Sequence, residues 1–197
     1  SPLVNMNMLV DLIEESDDDL DKQKLIGKFK TIINNVNETF NELLESLQVQ
    51  QDLEVKSEKV VVKEYLKKAV KGFEGQIMLS DAVIKTDFDE APEVFFPPKY
   101  FSSMLHNLIS NSLKYSRADA APEIQISGGS VSKEHALSLG LQGPAETYCS
   151  ISFKDNGIGF SPLYAEKIFS IFQRLHGRGQ YEGTGIGLAL CKKITEN

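Results

Sequence analysis

Several classes of protein are excluded by what the sequence lacks. Its 197 residues hold two cysteines, Cys149 and Cys191, far apart and outside any CxxC pair. That spacing argues against a disulfide framework or a zinc site and predicts two small buried side chains. No apolar run approaches the roughly 18–20 residues needed to span a bilayer, and nothing resembles a signal peptide. The expectation is a soluble, cytoplasmic chain without membrane contact of its own. Positive charge is in deficit: 21 Lys and Arg face 28 Asp and Glu, for a net charge of −7. A pI of about 5.1 argues against a nucleic-acid partner, which calls for basic patches. Internal repeats and low-complexity tracts are missing too. What remains is an ordinary globular composition, 41% hydrophobic, long enough for one domain or one domain with an accessory element.

The most informative stretch runs from Met104 to Ser116, MLHNLISNSLKYS. Asn107, Asn111, Lys114 and Tyr115 stand at i, i+4, i+7 and i+8, so a helix carries them on one face. Phe101, Met104, Leu105, Leu108 and Ser112 fall on a different, mostly apolar face that can pack on a sheet. Two amides, an ammonium and a phenol suit a nucleotide. An amide oxygen can ligate Mg²⁺, a lysine can meet a phosphate, and a tyrosine ring can stack on a purine. Taken alone, the same stripe equally fits a solvated face of an amphipathic helix.

Three further motifs follow in order: Asp155-Asn156-Gly157-Ile158-Gly159, Phe169-Ser170-Ile171-Phe172, and Gly183-Thr184-Gly185-Ile186-Gly187-Leu188. With the helix before them they resemble the N, G1, F and G2 boxes of the ATP-binding domain of sensor histidine kinases. Each box is weak alone, and four in sequence are specific. Phe172–Ile194 is most similar to the bacterial hybrid and phytochrome-like kinases. The resemblance implies an α+β chain: an N-terminal helical hairpin, then a Bergerat-type sandwich whose mixed sheet carries helices on one face.

The N-terminal pattern agrees. Leu3, Met6, Val10 and Ile13 step 3, 4, 3, and acids at 17–19 favour the start of a second helix from about Leu20 to Gln50. Its seam, Leu25, Phe29, Ile32, Val36, Phe40, Leu43 and Leu47, holds one extra 4-step, a local stutter. Two such helices leave apolar seams open. A homodimeric four-helix bundle closes them, and so would folding back onto the chain's own domain. The expected organisation is a dimerisation hairpin at 1–50, a polar hinge at 51–57 and an ATP-binding domain at 58–197. Within that domain Glu58–Val62, Ala82–Phe88, a run from Ile124 to about Ser132 and Tyr148–Asp155 read as strands, Val62–Ser80, Lys99–Tyr115 and Ile186–Glu196 carry helical spacing, and Lys133–Glu146 is a polar excursion at a strand connection. Ser1-Pro2-Leu3 is similar to the tail of the family's phosphoacceptor motif, which would place the acceptor histidine four residues before Ser1. His106, His135 and His176 lie in no such motif, so this stretch is not expected to label itself. The family continues past the position of Asn197 into two more strands, so a C-terminally truncated sheet is expected.

The resemblance also implies roles. ATP and Mg²⁺ are the expected ligands, with Asn111 the Mg²⁺ ligand and Tyr115 the stacking ring. Asp155 would accept from the adenine amino group, where guanine presents a carbonyl. Gly157 and Gly159 would let the backbone approach the base, and Gly183, Thr184, Gly185, Gly187 and Leu188 would cradle phosphates at a helix N-terminus. Ile168, Phe169 and Phe172, at i, i+1 and i+4, would pack under the site. Asn107, Lys114 and Arg174 form the candidate catalytic set, and 173–182 a short mobile lid. Asn107 stands where hydrolytic relatives place a general-base glutamate, which predicts slow hydrolysis. The reading is a kinase core that moves the γ-phosphoryl of ATP to a histidine, for relay to the Asp of a response-regulator receiver domain. The alternatives are a nucleotide-gated ATPase of chaperone or topoisomerase type and a non-enzymatic dimerisation scaffold.

Overall fold

In the computed structural model, which describes residues 2–51, 55–138, 140, 145–173, 175 and 183–196, two long helices lead the chain. They are α1 (Pro2–Glu15) and α2 (Asp19–Gln51). The Asp18 carboxylate starts α2 by accepting the Leu20 N–H at 2.9 Å, and Asp19 and Asp21 add acid to the first turn, where the helix dipole favours it. The rest of the chain supplies β1 (Glu58–Val61), α3 (Val62–Lys71), α4 (Glu74–Ser80), β2 (Val83–Asp87) and β3 (Glu93–Phe96). Then come α5 (Pro98–Lys114), β4 (Glu123–Ser132), α6 (Lys133–Ser138), β5 (Thr147–Asp155) and α7 (Gly187–Glu196), with 3₁₀ turns at Pro162–Tyr164 and Lys167–Phe169.

The main sheet has the order β2-β4-β5 and is mixed, with β2 parallel to β4 and β5 antiparallel to it. Along β4, Ile124 and Ile126 are fully buried while Gln125 and Ser127 are exposed, so one face meets the helices. Phe101, Leu105 and Ile109 of α5 and Leu66 of α3 fill the core against that face. This is the expected α+β arrangement, and it fixes α5 by its apolar side.

Four local expectations are corrected. The helical period over Val62–Ser80 breaks into α3 and α4. Gly72 and Phe73 close 3₁₀-type bonds to Ala69 and Val70, which turns Phe73 into the core. Glu93–Phe96, unassigned from sequence, is strand β3, and it pairs antiparallel with β1 apart from the main sheet. The polar excursion Lys133–Glu146 contains the short helix α6. Cys149 is exposed on β5, where alternation turns it outward, whereas Cys191 is buried as expected. Burial, with Glu45 and Glu42 nearby, pushes the Cys191 thiol up to about 12.

The last turns of α2 lie on α5 and α7. Val49 is buried with Tyr100, Leu190 and Ile194, the Lys193 ammonium donates to the Ser46 carbonyl at 2.8 Å, and Lys99 donates to Gln48 at 2.7 Å. Among the described residues, no hydrophobic side chain of α1, or of α2 before Val49, is buried. No helix among them is long and apolar enough to cross a membrane.

Candidate nucleotide-binding site

Pro98 in the first turn starts α5, and its apolar side is held by the core. The stripe of Asn107, Asn111, Lys114 and Tyr115 therefore faces outward, and all four line a cleft of about 570 Å³. Across it stand Gly183, Thr184, Gly185, Gly187 and Leu188 at the start of α7. The contact is close. A Cβ on Gly187 would sit 2.6 Å from the Asn107 amide oxygen, and one on Gly183 would run into the Lys114 ammonium. The Lys114 ammonium also lies 4.4 Å from the centroid of the Tyr115 ring.

A second cleft of about 370 Å³ adjoins the first, and Asn111, Tyr115, Ile168, Gln173 and Leu188 line both. Its walls include Leu108, Phe153 and Ile158, with Gly159 beside them and Asp155 as its carboxylate. The result is one trough, polar at the α7 end and largely apolar at the Asp155 end.

Asp155 ends β5 and is held in place. Its Oδ1 accepts the Gly157 N–H at 2.9 Å, and its Oδ2 lies 3.1 Å from the Ser112 hydroxyl. Gly157 is needed for a close approach: a Cβ there would come 2.6 Å from the Tyr115 carbonyl oxygen. The Ile158 N–H donates to that same oxygen at 2.9 Å, which ties the loop to the end of α5. Gly157 itself lines neither cleft.

The aromatic box is corrected. Ile168 lines both clefts and Phe169 the apolar one, but Phe172 is 60% exposed and lines neither. The chain here forms a 3₁₀ turn rather than an α-helix, and Phe172 takes φ +63° while its N–H donates to the Gly185 carbonyl at 2.9 Å. The i, i+4 face expected to bury Phe172 does not exist. Arg174 and positions 176–182 of the expected lid, His176 included, lie outside the described residues; Gln173, at the lid's start, lines both clefts.

Two participants went unread in the sequence. Ser112 sits on the apolar face of α5 yet touches Asp155. Glu42 of α2 reaches the polar end and accepts a hydrogen bond from the Thr184 hydroxyl, which in turn accepts the Ile186 N–H at 3.2 Å. Burial pushes the Glu42 carboxyl above its ordinary range. The Thr184 bond and Lys114 oppose that rise, and Glu38 and Glu45 add to it. Asn35, Glu38 and Glu42 all line the polar cleft. Their i, i+3, i+7 spacing was a readable polar stripe on α2.

The donor set fits a nucleotide with a divalent cation. Around the α5–α7 contact the polar end offers the Lys114 ammonium, the Asn107 and Asn111 amides and the Thr184 hydroxyl to phosphates, with the Glu38 and Glu42 carboxylates of α2 on its far wall. Among the described residues no group of three or more His, Cys, Asp or Glu could hold a metal. A hard cation here would rest on an amide oxygen and on oxygens of the ligand, as Mg²⁺ commonly does. The apolar end offers a mostly apolar space and one carboxylate acceptor for a base.

The profile of the histidine kinase-, DNA gyrase B- and HSP90-like ATPase family matches residues 98–197, half of the chain. Phytochrome-like protein Cph1 of Synechocystis sp. is 38% identical over 135 residues, 68% of this chain and 16% of that protein. Sensor protein kinase WalK of Staphylococcus aureus is 26% identical across the whole chain, which spans 45% of it. The chain therefore covers less than half the length of these relatives. Among solved structures, histidine kinase ThkA in complex with the response regulator TrrA shares the fold, with a TM-score of 0.65, 17% identity, and coverage of 90% of this chain and 48% of that one. The chain belongs to the histidine kinase-, DNA gyrase B- and HSP90-like ATPase family and stands within it among the sensor histidine kinases.

Proposed function

We propose that the chain is the ATP-binding kinase core of a two-component sensor, moving the γ-phosphoryl of ATP to a histidine for relay to an aspartate of a response regulator. The observation that carries this reading is the single trough with a carboxylate at its apolar end and an ammonium with paired amides at its polar end. Adenine fits the first end and a triphosphate the second. The response-regulator partner is supported by the fold shared with ThkA, whose structure holds such a partner. In this reading 1–50 is a dimerisation hairpin, 51–57 a hinge and 58–197 the nucleotide-binding unit.

The roles follow from position. Asp155 accepts from the adenine amino group, the Tyr115 ring flanks the base, and the Lys114 ammonium faces the phosphates. Asn111 supplies an amide oxygen to Mg²⁺, which when bound neutralises phosphate charge. The backbone N–H groups at the start of α7 point along the helix dipole toward developing negative charge. Catalysis is then positioning and charge stabilisation, with little covalent work for the protein. Asn107, packed against Gly187, offers an amide and no proton acceptor, which favours transfer to a side chain over attack by water.

Calorimetry with Mg²⁺-ATP tests the reading. Asn111→Ala should abolish Mg²⁺-dependent binding with the fold intact. Asp155→Ala should weaken ATP by about 1.5–3 kcal/mol, the scale of a hydrogen bond to a charged group. Unchanged affinity in both variants would overturn the assignment.

A further inference from the structure

Ser112 is buried on α5, 5% exposed, and it lines the apolar end of the trough. Its hydroxyl is 3.1 Å from the Leu108 carbonyl, four residues back, and 3.1 Å from Asp155 Oδ2. Bonding to the carbonyl four residues back is routine for a helical hydroxyl: Thr31, Thr39, Ser80 and Ser102 all do it. Ser112 differs in standing also within hydrogen-bond distance of a carboxylate.

A hydroxyl has one proton to give. Were it given to Leu108, the hydroxyl lone pairs would face those of the carboxylate at contact distance. The carboxylate is the stronger acceptor and takes the proton. Asp155 is then fixed at both oxygens, Oδ1 by the Gly157 N–H and Oδ2 by Ser112. A carboxylate held this way keeps free lone pairs toward the trough and cannot swing aside.

We propose that Ser112 is the positioning residue for Asp155, pinning its carboxylate so that the trough takes adenine and rejects guanine. This rests on the nucleotide-binding reading above. The adenine amino group can donate to a pinned acceptor. The guanine carbonyl at the same place meets lone pairs that cannot turn away, and discrimination of this kind needs that enforced repulsion as well as the attraction. With Ser112 shortened to alanine, the carboxylate hangs from one bond and can rotate. ATP loses a well-aimed acceptor while GTP loses an obstacle.

The test is calorimetric titration of the full chain and of Ser112→Ala with Mg²⁺-ATP and Mg²⁺-GTP, with melting curves alongside. The change removes one oxygen from a small side chain, so the fold is retained. The expected result is a preference for ATP over GTP that shrinks about tenfold in Ser112→Ala, from weaker ATP binding with GTP held or improved. A merely structural role would weaken both nucleotides equally, and that outcome, or an unchanged ratio, overturns the proposal. If the unaltered chain binds neither nucleotide, the nucleotide reading fails and takes this proposal with it.

Discussion

At the residue scale the site depends on where side chains are absent. Gly187 lets the first turn of α7 lie against Asn107, since a Cβ there would stand 2.6 Å from the amide oxygen. Gly187→Ala gains at most about 0.5 kcal/mol of helix propensity, since Gly187 is the first residue of α7, but it must displace Asn107, and overpacking of this kind costs about 1–3 kcal/mol. The expected net effect is a destabilisation of about 1 kcal/mol. Asn107→Ala in the same chain should relieve it, so the pair should be non-additive by about 1 kcal/mol in denaturant melts. Additive losses would mean that the two residues do not share the space. The sequence showed Asn107, Asn111, Lys114 and Tyr115 as one stripe because helical period alone orders them, and the structure brings all four to one cleft. Ser112 was not legible as a site residue. Period assigned it to the packed face, and its partner Asp155 is 43 positions away. Phe172 was misread for the opposite reason: an i, i+4 rule was applied to backbone that is not helical.

At the element scale, α2 closes one side of the trough. Glu42 carries the contact to Thr184, and its desolvated carboxyl titrates above its ordinary value of 4.5. The sign follows from linkage. A carboxyl whose folded pKa is raised stabilises the packed state fully below its unfolded pKa, and that contribution is lost as pH rises through the folded value. Glu38, Glu45 and Lys114 act on the same group, so the useful quantity is a difference. The stability of the full chain minus that of Glu42→Gln should decline with rising pH across the window that starts near 4.5. A difference flat across that window would show that Glu42 is solvated and α2 is not packed there. The elements themselves were partly legible. Both hairpin helices, β1, β2, β4, β5, α5 and α7 follow from period and turn residues within a residue or two. Strand β3 has four residues and only Val94 and Phe96 half-buried, too short a pattern to read without β1 beside it. The break between α3 and α4 depends on the core accepting Phe73, which a local period does not report.

At the scale of the whole molecule the open question is what covers the hairpin. The seam read from sequence admitted two solutions, a second copy or the chain's own domain, and the structure divides them along α2. Its last turns dock on α5 and α7 through Val49, Ser46 and Gln48. Other apolar side chains of the hairpin stay bare: Met8 and Leu12 of α1 and Phe40, Leu44 and Leu47 of α2 are exposed, Phe40 by 60%. Side chains of this size each gain about 1.5–3 kcal/mol when taken fully out of water, so five on one hairpin favour association even after a partial discount for incomplete burial. A two-fold pairing of hairpins would bury these side chains against a second copy, the self-complementary solution that closed symmetry requires. Light scattering of the full chain should therefore report about twice its 21.9 kDa mass at micromolar concentration. Phe40→Lys combined with Met8→Lys should shift it to monomer while leaving the Mg²⁺-ATP affinity of the trough unchanged, because neither side chain lines that cleft. A monomeric parent, or a double variant that still dimerises, would mean that the hairpin faces are covered in some other way than by a second copy.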